Sequence, residues 1–359
     1  MKKTKRKFAA AVAAVLGLAF LTACGGADMR ATGGGQPSQS ASGAAGAAGA
    51  QGENVKLRFA TLGTGSSWYV YGATIADVVS RSDPGLQFDV LPYSGGIGNV
   101  LLQAQDKTDI SISSNITNTW AKEGTMAFEE TGPNPELRCI TGMLDQMYVA
   151  VAVRNGSGIE NLRDIADQKL PIRMFTSEMG QTSEYTAQVV LDSIGCSYED
   201  LISWGGKVEH TDFASIVNAA KDGKADLIIQ QISAGHASFT ELLLTADFRF
   251  CPLDEESRQF MKENGYALTV MPADTFPNQS EDIPTAGVNT TVNCNASLPE
   301  ETAYRIAKGI YEHPEELATG HKALADFDLL LAADVEYNGG LPIHPGALRY
   351  YKEIGLVKE

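Results

Sequence analysis

The 359-residue sequence lacks the short motifs that mark the common catalytic sites. It contains no GxSxG, HExxH or P-loop pattern, and its GTGSSW and GGIGN stretches do not complete a GxGxxG pattern. No carboxylate pair stands out as a general acid and base, because Asp77 and Asp109 fall where helix and strand surfaces would be solvated. We therefore predict that the chain is not an enzyme and that it uses no cofactor.

Cysteine and histidine are scarce and scattered. The chain has five of each. Beyond the N-terminal region the cysteines lie dozens of residues apart, without the short paired spacing of zinc or iron–sulfur sites: Cys139, Cys196, Cys251 and Cys294. The histidines form no ligand cluster at helical spacing. The sequence thus predicts no metal site, and it leaves open whether these cysteines are buried thiols or disulfides.

Positive charge is also in short supply. Lys and Arg number 28 against 44 Asp and Glu, which gives a formal net charge of -16. Removing Lys2, Lys3, Lys5, Arg6 and Lys7 subtracts five more and gives -21. Such a surface argues against nucleic acid or phospholipid headgroups as partners. It allows an anionic small ligand, which would meet local dipoles inside a cleft and not the screened outer field.

The N-terminus carries a targeting pattern. A basic start, KKTKRK, precedes the short apolar run FAAAVAAVLGLAF, an order typical of a secretory signal and too short for a comfortable membrane span. Leu21 to Cys24 resemble a lipobox, so we predict a signal peptide over residues 1–23 and a lipid on Cys24. A plain signal peptide with a chance cysteine is the alternative. Either reading predicts an extracytoplasmic protein, and the first anchors it to the membrane.

Composition divides the rest of the chain. Residues 24–53 are mostly Gly, Ala, Ser, Gln and Thr, which predicts a flexible linker spanning roughly 30 Å root-mean-square. The remaining chain, about 300 residues, exceeds what one compact core usually takes. We predict an α/β fold of two lobes, with residues 54–147 and 249–359 in lobe 1 and residues 148–248 in lobe 2. The chain would cross between the lobes twice, with a hinge at each crossing.

The stretch from Leu57 to Val79 changes from strand to helix through a polar turn. Leu57 to Thr61 alternate as a half-buried strand does, and Trp68 to Val79 follow a helical apolar spacing. The turn supplies glycines and hydroxyls beside a helix start: Gly63, Thr64, Gly65, Ser66 and Ser67. Such a turn can bind an anion without a cationic side chain, because its N–H donors and the helix dipole favour negative charge. An ordinary connecting turn is the alternative.

Further strands also end in polar turns. The strands Leu86 to Pro92 and Thr108 to Ser114 precede helices, the second with Asn115 placed as a helix cap. In the predicted lobe 2, polar residues follow a strand at Thr176 to Ser183 and end another at Gln230. The repeated pattern predicts a mostly parallel sheet, with these turns gathered at the strand ends where open α/β sheets bind ligands.

These turns define the predicted ligand site. From lobe 1 it takes Thr64, Gly65, Ser66, Ser67, Trp68, Tyr69, Ser94, Asn99, Ser114 and Asn115, and from lobe 2 Gln181, Thr182, Ser183 and Gln230. Their side chains can hydrogen-bond, and none is activated by an evident base. Trp68, Tyr69, Tyr71 and Tyr93 are candidates for an aromatic wall. The first three cannot all point the same way on one helix turn, so we expect either Trp68 or Tyr69 to face the cleft.

Four segments together resemble the TAXI family, the extracytoplasmic solute receptors of tripartite ATP-independent (TRAP) transporters. They are GTGSSWYVYG, SGGIGN, MGQTSEYTAQVVLDSIG and LPIHPGALRYYKEIGL, and the similarity runs from Val55 to Leu356. The resemblance implies a type II periplasmic binding protein that closes two lobes on one solute and delivers it to a sodium-driven membrane subunit. It also implies a ligand of the glutamate, glutamine or 2-oxoglutarate class.

We therefore expect a monomeric, lipid-anchored receptor whose partners are a small organic-acid or amino-acid ligand and a TRAP membrane subunit. Three alternatives stay open: a receptor for an ABC transporter of similar fold, a sensory accessory protein, and a secreted enzyme. The C-terminal HPGALRYYKEIGL also has two readings. It docks the transporter, or it packs on lobe 1 through Leu348, Tyr351 and Ile354.

Overall fold

The computed structural model describes residues 54–64 and 66–358. The predicted signal peptide, the linker, Cys24 and Gly65 lie outside the described residues. Within the described ranges, no helix combines the length and apolarity that a membrane crossing requires.

The described residues form eleven β-strands and twelve α-helices. The strands are β1 Val55–Thr61, β2 Leu86–Pro92, β3 Ile110–Ser114, β4 Leu137–Thr141, β5 Gln146–Arg154, β6 Arg173–Thr176, β7 Lys207–His210, β8 Leu227–Ser233, β9 Phe248–Phe250, β10 Ala267–Met271 and β11 Ile283–Asn295. The helices are α1 Ser67–Ser82, α2 Gly96–Ala104, α3 Asn115–Glu123, α4 Asp164–Asp167, α5 Thr182–Asp192, α6 Tyr198–Ser203, α7 Phe213–Lys221, α8 Ala237–Thr245, α9 Glu255–Glu263, α10 Glu300–Tyr311, α11 Pro314–Gly320 and α12 Pro345–Glu353.

One long strand joins two parallel groups of strands. The sheet order is β2-β1-β3-β11-β5-β8-β6-β7, with β4 and β10 also on β11 and β9 on β5. β1 is parallel to β2 and β3, and β6 is parallel to β7 and β8. β11 is antiparallel to its partners: its first half pairs with β10 and β5, and its second half with β3 and β4. The mostly parallel sheet that the sequence predicts therefore holds within each outer group and fails at their junction.

The strand and helix around Leu57 to Val79 form as the sequence predicts. Leu57 and Phe59 of β1 are buried, and so are Tyr71, Ile75 and Val79 of α1. The Ser66 hydroxyl accepts a hydrogen bond from the Tyr69 amide at 3.1 Å, so it satisfies one of the free N–H groups at the helix start.

Three local predictions differ from the structure. The cap of α3 is Ser114 and not Asn115, because Ser114 has extended backbone and its hydroxyl accepts from the Thr117 amide, whereas Asn115 is already helical. Ser94 and Asn99 were predicted in one turn after β2, but this turn ends before Asn99, since α2 begins at Gly96. The helix α8 was not predicted, and it follows β8 directly. All three errors concern where a turn gives way to a helix.

The C-terminal helix α12 packs against the body of the protein. Pro345 begins the helix, and the Tyr351 hydroxyl donates to the carbonyl of Ile140 at 3.0 Å from a fully buried position. Ile354, predicted on the same packed face, is 40% exposed. The four cysteines in the described chain are buried free thiols: Cys139, Cys196, Cys251 and Cys294.

Candidate functional site

A cavity of about 440 Å³ lies between the two groups of strands. Its first wall comes from the starts of α1 and α2 and from residues that follow α11. Its second wall comes from the starts of α5, α7 and α8 and from the end of β8. Met147 of β5 also lines it. Residues from distant parts of the sequence therefore line one cavity.

Five helices begin at the cavity. The first residues of α1, α2, α5, α7 and α8 all line it: Ser67, Gly96, Thr182, Phe213 and Ala237. Each helix directly follows a strand, namely β1, β2, β6, β7 and β8. The first N–H groups of a helix have no partner within it, and the dipole gives that end a partial positive charge. The walls therefore favour a negatively charged guest.

The structure brings half of the predicted site residues to the cavity. Those that line it are Ser66, Ser67, Trp68, Ser94, Gln181, Thr182 and Ser183. Those that do not are Thr64, Tyr69, Asn99, Ser114, Asn115 and Gln230. Gly65 lies outside the described residues. Of the two favoured aromatic candidates, Trp68 lines the cavity and Tyr69 does not; of the other two, Tyr71 lines it and Tyr93 does not.

The predicted residues away from the cavity hold the scaffold together. The Asn99 amide donates to the carbonyl of Ile112 at 2.8 Å and so ties α2 to β3 from a fully buried position. The Asn115 side-chain oxygen accepts from the amide of Asn289 on β11 at 3.1 Å. Gln230 accepts from the Ser177 hydroxyl at 2.7 Å. Because strand side chains alternate between faces, Gln231, the next residue of β8, lines the cavity and Gln230 does not.

Two lining aromatics are anchored on β11 and on one buried carboxylate. Trp68 Nε1 donates to Thr290 Oγ1 at 2.9 Å, and the Tyr71 hydroxyl donates to Asp145 Oδ2 at 2.8 Å. The other oxygen of Asp145 accepts from the Thr290 amide at 3.0 Å. Asp145 is fully buried, and this desolvation raises its pKa to about 6 although both hydrogen bonds oppose the rise. Asp145 thus fixes the wall without lining it.

Among the described residues that line the cavity, Lys322 alone is charged at neutral pH. His236 and His321 also line it, but burial lowers the pKa of His236 to about 4 and also lowers the pKa of His321. Lys322 makes no ion pair with another described residue. A methyl group placed on Gly235, just before α8, would lie 3.9 Å from Lys322 Nζ. The ammonium of Lys322, on the first wall, therefore lies close to the segment that precedes α8 on the second wall.

The two walls approach each other closely where α5 of the second wall meets α2 and α3. Thr117 Oγ1 and Thr182 Oγ1 are 3.1 Å apart, and a Cβ atom on Gly96 would lie 2.7 Å from Thr182 Oγ1. A real Cβ almost never comes so near another heavy atom, so only glycine fits here without a shift. The approach of α5 to α2 consequently depends on residue 96.

Several lining residues stand outside the predicted site. Phe213, His236, His321 and Lys322 were missed, whereas Ser177 lies in the predicted turn from Thr176 to Ser183 and Gln231 follows Gln230 at the predicted polar strand end. A polar segment between a strand and a helix is the pattern that predicted the other turns, and the residues after β8 have it as well. This segment was not assigned to the site because α8 was not predicted. Lys322 lies far along the chain and gives no such signal. The described residues include no group of three or more His, Cys, Asp or Glu side chains placed to hold a metal ion.

The fold is that of the periplasmic binding proteins. The chain is similar to MatC (Rpa3494) from Rhodopseudomonas palustris with bound malate, at 11% identity and a TM-score of 0.52, over 84% of this chain and 97% of that one. It is also similar to the periplasmic binding protein BugD, at 12% identity and a TM-score of 0.49, over 85% and 98% of the two chains. The aliphatic sulphonate binding protein SsuA from Escherichia coli aligns at 14% identity and a TM-score of 0.42, over 83% and 82%.

The chain belongs to the NMT1-like family, which matches residues 59–355. The predicted fold class, an α/β periplasmic binding protein, is confirmed. The lobe boundaries stay a prediction.

Proposed function

We propose that this protein is an extracytoplasmic receptor that binds a small carboxylate-bearing solute in the cavity and delivers it to the membrane subunit of a TRAP transporter. The observation that carries the proposal is the convergence of five helix starts and the unpaired Lys322 on one cavity. MatC, which is similar in fold, was solved with malate bound, and malate is a small carboxylate. The TRAP partner rests on the TAXI resemblance.

Reversible binding fits the cavity better than catalysis. The lining serines include Ser66, Ser94 and Ser177, and among the described residues none of their hydroxyls bonds to a histidine that would activate it. Family membership supports a binding protein as well. The hydroxyls and helix N–H groups would hold a carboxylate by hydrogen bonds that leave it chemically unchanged.

Closure of the two walls on the solute would let the membrane subunit distinguish the loaded receptor from the empty one. Because the walls belong to different strand groups, a solute that contacts both favours the closed arrangement over an open one. The hydroxyl oxygens of Thr117 and Thr182 are 3.1 Å apart, and this contact between the two walls would stabilise a closed arrangement. Location at the membrane would follow from lipid on Cys24, as the N-terminal pattern predicts.

The experiment is a thermal-shift screen of short organic acids, followed by calorimetry on the wild type and two lysine variants. A ligand at a hundred times its Kd adds about 2.7 kcal/mol to the free energy of unfolding. Lys322→Gln should weaken binding by about tenfold, as expected for losing one nearby opposite charge. Lys107→Gln removes an exposed lysine that does not line the cavity and should leave binding unchanged.

Failure of every small carboxylate to bind would contradict the proposal, as would equal binding by both lysine variants. Transport assays separate the TRAP partner from its ABC alternative. Uptake in vesicles that contain the cognate membrane subunit should require a sodium gradient and no ATP. Uptake that needs ATP would favour the ABC alternative and leave the binding proposal intact.

A further inference from the structure

No acidic side chain lines the cavity among the described residues. From this we infer that the natural solute bears carboxylate but no ammonium group, so that oxo, hydroxy or unsubstituted carboxylic acids fit and α-amino acids do not. The inference rests on the proposed function and narrows its solute class. It removes glutamate and glutamine from the range that the family resemblance implies.

An α-amino acid brings a positive charge that a closed cavity must satisfy. A buried ammonium needs a carboxylate partner or a set of well-placed carbonyl oxygens, and an unpaired one is strongly disfavoured. Here the walls present helix N–H groups and Lys322, which are positive. The field that attracts a carboxylate therefore repels the ammonium of the same molecule.

Two acidic residues that accept hydrogen bonds from lining side chains are already engaged. Asp145 touches the lining only through Tyr71, and its two oxygens accept from the Tyr71 hydroxyl and the Thr290 amide. Glu178 is exposed and accepts from the Gln181 side chain at 3.0 Å. Neither lines the cavity. An ammonium in the cavity therefore meets no carboxylate in the lining itself.

The remaining lining suits a neutral substituent. Trp68 and Phe213 offer an ammonium only the attraction of a ring face, and Met147 and the serine hydroxyls carry no charge. His236 adds a buried Nδ1 atom that has no hydrogen-bond partner among the described residues. A neutral imidazole can donate to an oxo oxygen, or accept from a hydroxyl group, so this atom gains a partner from such a solute.

The test is calorimetry of the full chain with matched acids that differ only at one carbon. One set is glutarate, 2-oxoglutarate, 2-hydroxyglutarate and L-glutamate; the other is succinate, malate and L-aspartate. We expect the ammonium-bearing member of each set to bind at least about 100-fold more weakly than the tightest member. Glutamate or aspartate binding as tightly as the best acid of its set would overturn the inference and leave the receptor proposal standing. If no acid of either set binds, the receptor proposal falls and the inference falls with it.

A charge placed in the wall gives a second test. Ser238 lines the cavity near the start of α8, where an acidic residue is compatible with the helix dipole. Ser238→Asp should raise the affinity for glutamate relative to glutarate by at least about tenfold, because it supplies the missing partner. Ser238→Asn has nearly the same shape without the charge and should leave that ratio unchanged. An unchanged ratio in a Ser238→Asp protein that keeps its circular dichroism and Tm would contradict the inference.

Discussion

Asp145 should make the protein more stable as the pH falls towards 5, and Asp145→Asn should abolish that contribution. The carboxyl is fully buried, and its folded pKa of about 6 lies above the ordinary value of 3.8. The folded protein therefore binds a proton between these values that the unfolded chain releases. The stabilisation is complete below pH 3.8 and is lost as the pH rises through about 6.

The size of the effect follows from the two pKa values. The full shift corresponds to about 3 kcal/mol, and about 1 kcal/mol of it appears between pH 7.5 and pH 5. His236 and His321 act in the opposite direction over this range, because the pKa of each is lowered by burial and the unfolded chain binds their protons first. The total pH dependence thus mixes several groups, whereas the difference between two variants isolates Asp145.

The assay is urea unfolding of the wild type and of Asp145→Asn at four pH values from 7.5 to 5. The difference between their free energies of unfolding should change by about 1 kcal/mol in favour of the wild type on acidification. Tyr71→Phe keeps the carboxylate but removes a hydrogen bond that lowers its pKa, so its pH dependence should match or exceed that of the wild type. A wild type minus Asp145→Asn difference that stays constant within about 0.3 kcal/mol would refute the reasoning.

Three further predictions concern the cavity and the scaffold. Gly96→Ala should weaken solute binding by at least about tenfold, measured by calorimetry, because its Cβ would lie 2.7 Å from a hydroxyl on α5, while Gly63→Ala has open space and should bind normally. Solute binding should change the tryptophan fluorescence, and Trp68→Phe should remove most of that change while Trp204→Phe, which does not line the cavity, keeps it. Asp226→Asn should lower the free energy of unfolding by about 3 kcal/mol at neutral pH, because Arg154 and Arg173 lose the buried carboxylate that they share. Urea unfolding measures this change, and a loss below about 1 kcal/mol would contradict the prediction.

Strands and long helices could be predicted from the sequence because their patterns are local. The alternation of Leu57 to Thr61 gave a buried strand, and LQFDVLP coincides with β2 from Leu86 to Pro92. The antiparallel joining strand β11 could not be placed in the same way. Its pairing with both groups of strands depends on contacts more than 100 residues away along the chain, which no local pattern records.

Site residues could be predicted from the sequence only where the start of the neighbouring helix could also be predicted. Ser66, Ser67 and Thr182 were found because each lies at a turn before a periodic apolar segment. Asn99 was misplaced because its helix begins three residues earlier, which turns its side chain into the core against β3. Lys322 was missed because only the folding of α11 against α1 brings it to the cavity.

The central claim is that one cavity between the two groups of strands holds a carboxylate. The most direct measurement is a crystal structure of the protein with the tightest acid from the calorimetric sets. The account predicts the carboxylate within hydrogen-bond distance of Lys322 Nζ and of N–H groups at the starts of the lining helices. A solute bound outside this cavity, or bound within it with its carboxylate away from both Lys322 and the helix starts, would contradict the account.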